Sequence, residues 1–220
     1  MKTFAFDIYG TLIDPLALGQ ILEGMIGIQA QSFNNLWRDK QLEYSFRKAA
    51  MKQFNYFSEC TQQALEYCNE FFNSGLSESQ KSELLGMYRK LPAYDETEPC
   101  LKSLKEKDHE IIAFSNGKKD DLLSLFENAN IIQYFDQIIS VDEVRTFKPS
   151  PEVYDLLTQK SSSPKANTWL ISSNSFDIIG AASVGLKTIW LKRNPNAVFD
   201  PFGVQSTRNA DNLSDIVENQ

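Results

Sequence analysis

Histidine is nearly absent. The chain of 220 residues has one, His109, in the charged stretch Lys105-Glu106-Lys107-Asp108-His109-Glu110, which reads as a solvated loop. A Ser-His-Asp triad would have to use that residue, and a multi-histidine metal site cannot be built at all. Cysteine is scarce as well. Cys60, Cys68 and Cys100 show no C-x-x-C spacing and cannot all pair with one another, which fits plain thiols in a reducing compartment. No apolar run reaches the ~18 residues of a membrane span. The chain enters a strand within two residues of Met1, with no apolar stretch of signal-peptide type. The expected location is cytoplasmic, with no membrane partner. Basic residues are in the minority, 22 against 29 acidic ones, for a net charge of −7. That balance argues against broad binding to nucleic acid or anionic membrane, while leaving room for a local basic pocket.

What is present suits a globular protein, with 42% hydrophobic and 23% charged residues. At ~150 residues per domain, the length implies one full core plus a smaller unit. Residues 2–9 form an apolar run that stops at Gly10-Thr11, as a buried strand ends in a tight turn. From Pro15 to about Leu91 polar and apolar residues mix at helical spacing, with no convincing strand. Within that stretch Trp37, Lys40, Gln41, Tyr44 and Lys48 share one side of a helix, and Arg38, Leu42 and Ser45 a neighbouring face. After Pro92 strands alternate with helices: strands at 110–115, 137–140, 167–173 and 187–191, helices at 118–128, 149–159 and 176–184. The tail from Asn194 reads as irregular, with a short helix near Leu213. The expected fold is α/β, a Rossmann-like parallel-sheet core with helices on both faces and an inserted all-helical cap domain. Residues 1–14 and 92–220 would form the core, and 15–91 the cap.

In an open parallel sheet, ligands bind beyond the carboxyl ends of the strands. Four polar groups fall there in order: Asp7 before Tyr9-Gly10-Thr11, then Ser115-Asn116-Gly117, Lys148-Pro149, and Ser172-Ser173-Asn174 with Asp177. Each alone has an ordinary reading as a turn residue, a solvent-facing lysine or a helix cap. Chance does not readily put all four at successive strand ends.

This set resembles the haloacid dehalogenase superfamily, whose signature is a nucleophilic Asp in a D-x-x-G-T-L pattern, here Asp7-Ile8-Tyr9-Gly10-Thr11-Leu12. Ser115, Lys148 and Asp177 match the later motifs, and the insert falls at the family's cap position. Most members are phosphatases with a second Asp two positions on as general acid and a G-D-x-x-x-D motif that helps hold magnesium. This chain has Tyr9 and Ser173 at the two departures. A phenol of pKa ~10 is a poor acid near neutrality, and magnesium favours several anionic oxygens. The departures match the L-2-haloacid dehalogenase branch, with D-x-Y-G-T, S-N-G, K-P and S-S-N-x-x-D. So does the cap string Trp37-Arg38-Asp39-Lys40-Gln41-Leu42-Glu43-Tyr44, except that Asp39 stands where that branch has glutamine.

The resemblance implies hydrolysis of small L-2-haloalkanoic acids to D-2-hydroxyalkanoic acids without a metal or cofactor. Asp7 would displace halide from C2 and form an ester. Asp177, helped by Asn174, would activate the water that cleaves it, and Lys148 would keep Asp7 ionised and stabilise the ester oxyanion. Ser115 and backbone amides around Tyr9 and Gly10 would hold the substrate carboxylate, Arg38 and Asn116 the halide, while Thr11 and Ser172 position Asp7. Ile8 flanks the nucleophile among the substrate-binding residues. Tyr9, Leu42, Phe57 and Phe176 would supply an apolar wall, although ordinary packing also accounts for Phe57. Tyr154 matches a family site position; on physics alone it reads as core. The partners implied are substrate, halide, water and a second copy of the chain. The alternatives are a magnesium-dependent phosphatase or phosphonatase of the same superfamily, and a non-catalytic paralogue.

Overall fold

A computed structural model describes residues 1–218. The chain begins with β1 (Thr3–Phe6), followed by four helices, α1 (Gly19–Ile26), α2 (Ala30–Ala50), α3 (Phe57–Phe71) and α4 (Glu78–Met87). It continues through α5 (Thr97–Glu106), β2 (Glu110–Ser115), α6 (Lys119–Asn128), β3 (Gln137–Ser140) and α7 (Pro151–Lys160). Then come β4 (Thr168–Ser172), α8 (Ser175–Ser183), β5 (Lys187–Leu191), β6 (Arg208–Ala210) and α9 (Ser214–Glu218).

The six strands make one sheet in the order β3-β2-β1-β4-β5-β6, every neighbouring pair parallel. β1, β2 and β4 are buried along their whole length. A strand covered on both faces needs apolar side chains at odd and even positions alike, hence the unbroken runs in Phe4–Phe6, Ile111–Phe114 and Trp169–Ile171. The chain winds outward from β1 through β2 to β3, then returns to the other side for β4. Right-handed crossovers in those two directions put helices on both faces. The reversal opens a crevice at the carboxyl ends of β1 and β4.

The four helices between β1 and α5 are inserted into this core. The chain leaves and re-enters it side by side: Asp14 N–H donates to Pro92 O at 3.0 Å, and Tyr94 N–H and Thr97 Oγ1 donate to Leu12 O at 3.0 Å each. Along α2 the buried line is Phe33, Trp37, Gln41 and Ser45, one residue every four, with Asn34 beside it. Ser45, which the sequence puts with Arg38 and Leu42, borders both faces: it is buried like Trp37 and Gln41, and its Oγ donates to Leu42 O at 2.7 Å. Trp37 Nε1 donates to Thr61 O at 2.8 Å and fastens α2 to α3.

Other expectations need correction. β1 ends at Phe6, because Ile8 O turns back to accept from Thr11, Leu12 and Ile13 N–H at 3.1, 2.9 and 3.0 Å. Gly10 supports that turn at φ +89°, a backbone conformation that suits glycine. α7 starts at Pro151, not Pro149; Ser150 is still extended and Pro151 occupies the first turn, where its missing N–H costs nothing. The tail contributes a sixth strand, β6, whose Arg-Asn-Ala sequence has no strand signature and forms by pairing with β5. His109 is half-buried, its ring edge-on to Phe4 at 5.2 Å and its Nδ1 accepting from Lys2 N–H at 3.3 Å.

Candidate active site

Strand register sets the site. One step beyond the pairs Phe6–Ala113 and Phe6–Ile171, Asp7 stands level with Phe114 and Ser172. Its N–H donates to Ile171 O at 2.9 Å, so the backbone continues the ladder while the side chain enters the crevice. The two carboxylate oxygens meet different surroundings. Oδ2 accepts from Thr11 Oγ1 at 3.0 Å, Ser172 Oγ at 3.0 Å and Asn174 Nδ2 at 2.7 Å. Oδ1 accepts from Lys148 Nζ at 3.1 Å.

Lys148 is 1% exposed. Besides Asp7, its ammonium donates to Asp177 Oδ2 and Phe114 O, both at 2.8 Å, and lies 4.3 Å from the Phe114 ring centroid. Three acceptors match the three N–H bonds of an ammonium. Its approach is braced from behind, where Lys148 N–H donates to Asn116 Oδ1 at 3.0 Å. Asp177, wholly buried in the first turn of α8, completes the group by accepting from Tyr154 Oη at 2.8 Å through Oδ1.

Two carboxylates on one ammonium cannot titrate alike. For Asp7, burial favours the neutral form, but the charge and hydrogen bond of Lys148, with Arg38 and Asn174, hold the carboxyl below its ordinary value. For Asp177, burial and the nearby charge of Asp7 prevail over Lys148 and Tyr154 and raise it to about 6. Burial alone would release the Lys148 proton; the two acids raise its pKa instead. The crevice thus holds an ionised carboxylate beside one that exchanges protons near neutrality. Such a division suits one carboxylate to attack and the other to take a proton.

The remaining expected residues fall into three groups. Arg38 reaches from α2 to the β1 turn, where its Nη2 donates to Tyr9 O at 3.2 Å, an acceptor shared with Asn174 Nδ2 at 3.2 Å. Ser115 Oγ accepts from Gly117 N–H at 3.0 Å, leaving its own proton to donate. The Gly10 N–H is committed to Ile13 O at 2.8 Å, which removes that amide from the expected carboxylate-binding set. Tyr9 packs at 6.2 Å from Phe57 and 6.0 Å from Tyr88, and these rings line a cleft of about 230 Å³ together with Gly117. Phe176 is half-buried on another flank, edge-on to Phe46 at 4.9 Å. Leu42 is half-buried, and Ile8 is buried outright, its carbonyl serving the turn described above. Burial raises the Tyr9 phenol above its ordinary value, which weakens it further as an acid. Asp39 is exposed but shares a cleft with Arg38, Gly10, Tyr94 and Asn174.

Sequence reasoning missed the support behind Arg38. Gln41, fully buried, accepts from Arg38 Nη1 at 2.5 Å and donates to Thr61 Oγ1 at 2.5 Å; Thr61 in turn donates to Phe57 O at 3.0 Å. A glutamine one turn from Trp37 on the same helix face was the available signal, since a buried amide requires partners. Ser173 has a local task as well. Its Oγ donates to Gly10 O at 2.6 Å, and its N–H donates to Thr11 Oγ1 at 2.9 Å.

A family profile described as haloacid dehalogenase-like hydrolase matches residues 1–185. The chain belongs to that family. Among relatives of this hydrolase, the (S)-2-haloacid dehalogenase H-109 of Pseudomonas putida is 32% identical over 98% of this chain and 96% of its own. The (S)-2-haloacid dehalogenase of Pseudomonas fluorescens is 31% identical over 96% and 92%. The structure of L-2-haloacid dehalogenase from Xanthobacter autotrophicus with chloropropionic acid covalently bound superposes with a TM-score of 0.90. It is 27% identical and covers 99% of this chain and 97% of its own.

Proposed function

We propose that this hydrolase converts small L-2-haloalkanoic acids to D-2-hydroxyalkanoic acids through an ester on Asp7. The observation that carries the reading is the single buried ammonium of Lys148 bonded to both Asp7 and Asp177. It keeps one carboxylate charged for attack and places a second beside it. Asp7 Oδ1 forms a bond to C2 as the carbon–halogen bond breaks and the halide leaves with the electron pair, inverting the carbon. Halide needs no proton to depart, so Tyr9 in place of a carboxylic acid costs the reaction nothing.

In the second step water adds to the carboxyl carbon of Asp7 and gives a proton to Asp177. Charge then develops on Oδ2, where Thr11, Ser172 and Asn174 already donate, an arrangement that stabilises the tetrahedral state. This assigns the oxyanion to those three residues and leaves Lys148 to orient the acids. Collapse expels the hydroxy acid's oxygen, which takes the proton from Asp177, and Asp7 loses its own proton to solvent. Arg38 and Asn116 would receive the halide, and Ser115 the substrate carboxylate.

Residues 15–91 act in this scheme as a cap over residues 1–14 and 92–220, supplying Arg38, Leu42 and Phe57. Two copies of the chain would form the working particle, which sedimentation of the native protein tests. A cytoplasmic location fits the three buried free thiols, all raised by burial to between about 11 and 12.

The test is halide release from L- and D-2-chloropropionate in EDTA, with intact-mass detection of the ester. Release from the L form alone, with an adduct on Asp7, is expected. Phosphoester hydrolysis that appears only with magnesium, and no halide from either enantiomer, would overturn the proposal.

A further inference from the structure

Asp177 and Gly180 are three residues apart on α8, so they share a face of that helix. Facing them is Tyr154 of α7, fully buried, its ring 6.0 Å from that of Phe114 and its Oη 2.8 Å from Asp177 Oδ1. The ring lies where a side chain at position 180 would begin. A Cβ placed on Gly180 would stand 2.4 Å from Tyr154 Oη, 2.6 Å from Cε2 and 2.7 Å from Cζ. Those separations are far inside van der Waals contact. The ring cannot yield cheaply, because a buried aromatic side chain has no vacant space to swing into.

Gly180 lies in the middle of a helix, where glycine is less favourable than alanine by ~0.5–1 kcal/mol. Its φ is not in the left-handed region, so backbone freedom does not explain it. Room for Tyr154 does. Gly180 is buried and contributes no polar group of its own to the crevice, so whatever it does for the reaction passes through the tyrosine.

We infer that Gly180 is a positioning residue for the ester-cleaving step: its missing side chain seats the Tyr154 phenol against Asp177 Oδ1 and so aims that carboxylate at the water that attacks the Asp7 ester. The inference rests on the dehalogenase reading above. In that reading Asp177 acts in ester cleavage and not in the attack by Asp7, and Tyr154 touches Asp177. Displacing the phenol therefore slows one step and spares the other. A misplacement of about 1 Å in a catalytic group costs up to ~100-fold in rate.

The test is rapid-quench halide release and intact-mass analysis of wild type, Gly180→Ala, Tyr154→Leu and the double variant with L-2-chloropropionate. Gly180→Ala should release its first equivalent of halide at near the wild-type rate, then turn over about 10- to 100-fold more slowly while the ester accumulates. Leucine vacates the ring's position, so adding Gly180→Ala to Tyr154→Leu should change nothing further; this comparison stands even if Gly180→Ala alone fails to fold. Wild-type turnover in Gly180→Ala would overturn the inference, as would equal slowing of both steps or an additive loss in the double variant. Wild type that releases no halide and forms no ester would instead overturn the dehalogenase reading, and the inference with it.

Discussion

In the proposed mechanism Lys148 carries more of the chemistry than any other single side chain, since its ammonium bonds both carboxylates. Lys148→Met takes from two buried acids the ammonium they share, leaving Asp7 only the charge of Arg38, so the Asp7 pKa must rise and part of the carboxylate protonates. Loss of a buried ion-pair partner also destabilises by about 3–5 kcal/mol. First-turnover halide release from this variant should fall at least ~100-fold at pH 7, with a lower Tm by calorimetry. The pH dependence separates the steps. Attack needs Asp7 ionised, and its lowered pKa keeps it so on the acid side of neutrality. Ester cleavage needs Asp177 ionised, and in the free enzyme its pKa is raised to about 6 partly by the charge of Asp7. Esterification removes that charge, so Asp177 in the intermediate becomes more acidic than in the free enzyme. The acid limb of single-turnover ester cleavage should therefore fall below pH 6, while Asp177 titration in the free enzyme, followed by NMR, lies near it. The residues that meet at Asp7 were legible in sequence because Ser172 and Asn174 sit at or just past the end of β4, Thr11 in the turn after β1, and Lys148 in the loop that follows β3. Oδ1 and Oδ2 could not be told apart there, since the distinction lies in side-chain direction.

At the scale of elements, α2 is the one with a divided task. Trp37, Gln41 and Ser45 face inward, while Arg38 projects from the adjoining side to Tyr9 O. Gln41 holds the guanidinium, so Gln41→Leu frees Arg38 and leaves Thr61 Oγ1 without its amide donor. KM for L-2-chloropropionate should rise about 10- to 150-fold with a small change in kcat, on the ~1.5–3 kcal/mol worth of a hydrogen bond to a charged group, measured by steady-state halide release. Helices and strands with strong periodicity were legible, and so was the inserted helical run. β6 was not, because three polar-to-small residues at a sheet edge owe their form to the backbone of β5. Nor was the start of α7, where two prolines, Pro149 and Pro151, each offered a plausible first turn.

Over the whole molecule, a net charge of −7 meets an anionic substrate and an anionic product. Arg38 of α2 reaches the turn after β1, and Asp39 faces the same cleft from an exposed position. Asp39→Asn should raise kcat/KM a few-fold at low ionic strength, and the gain should vanish at ~0.5 M salt, where exposed charges are screened within several ångströms.

The sheet order has a consequence for how the protein is made. β1 is paired with β2 and β4 alone, so Thr3 has as its nearest partners Glu110 and Thr168. At a synthesis rate of ~5–20 residues per second, β1 waits several seconds for β2 to follow it. The four helices that follow it have their contacts within reach much sooner. A site built around Asp7 therefore closes only after β4 and α8 have been made, long after Asp7 itself.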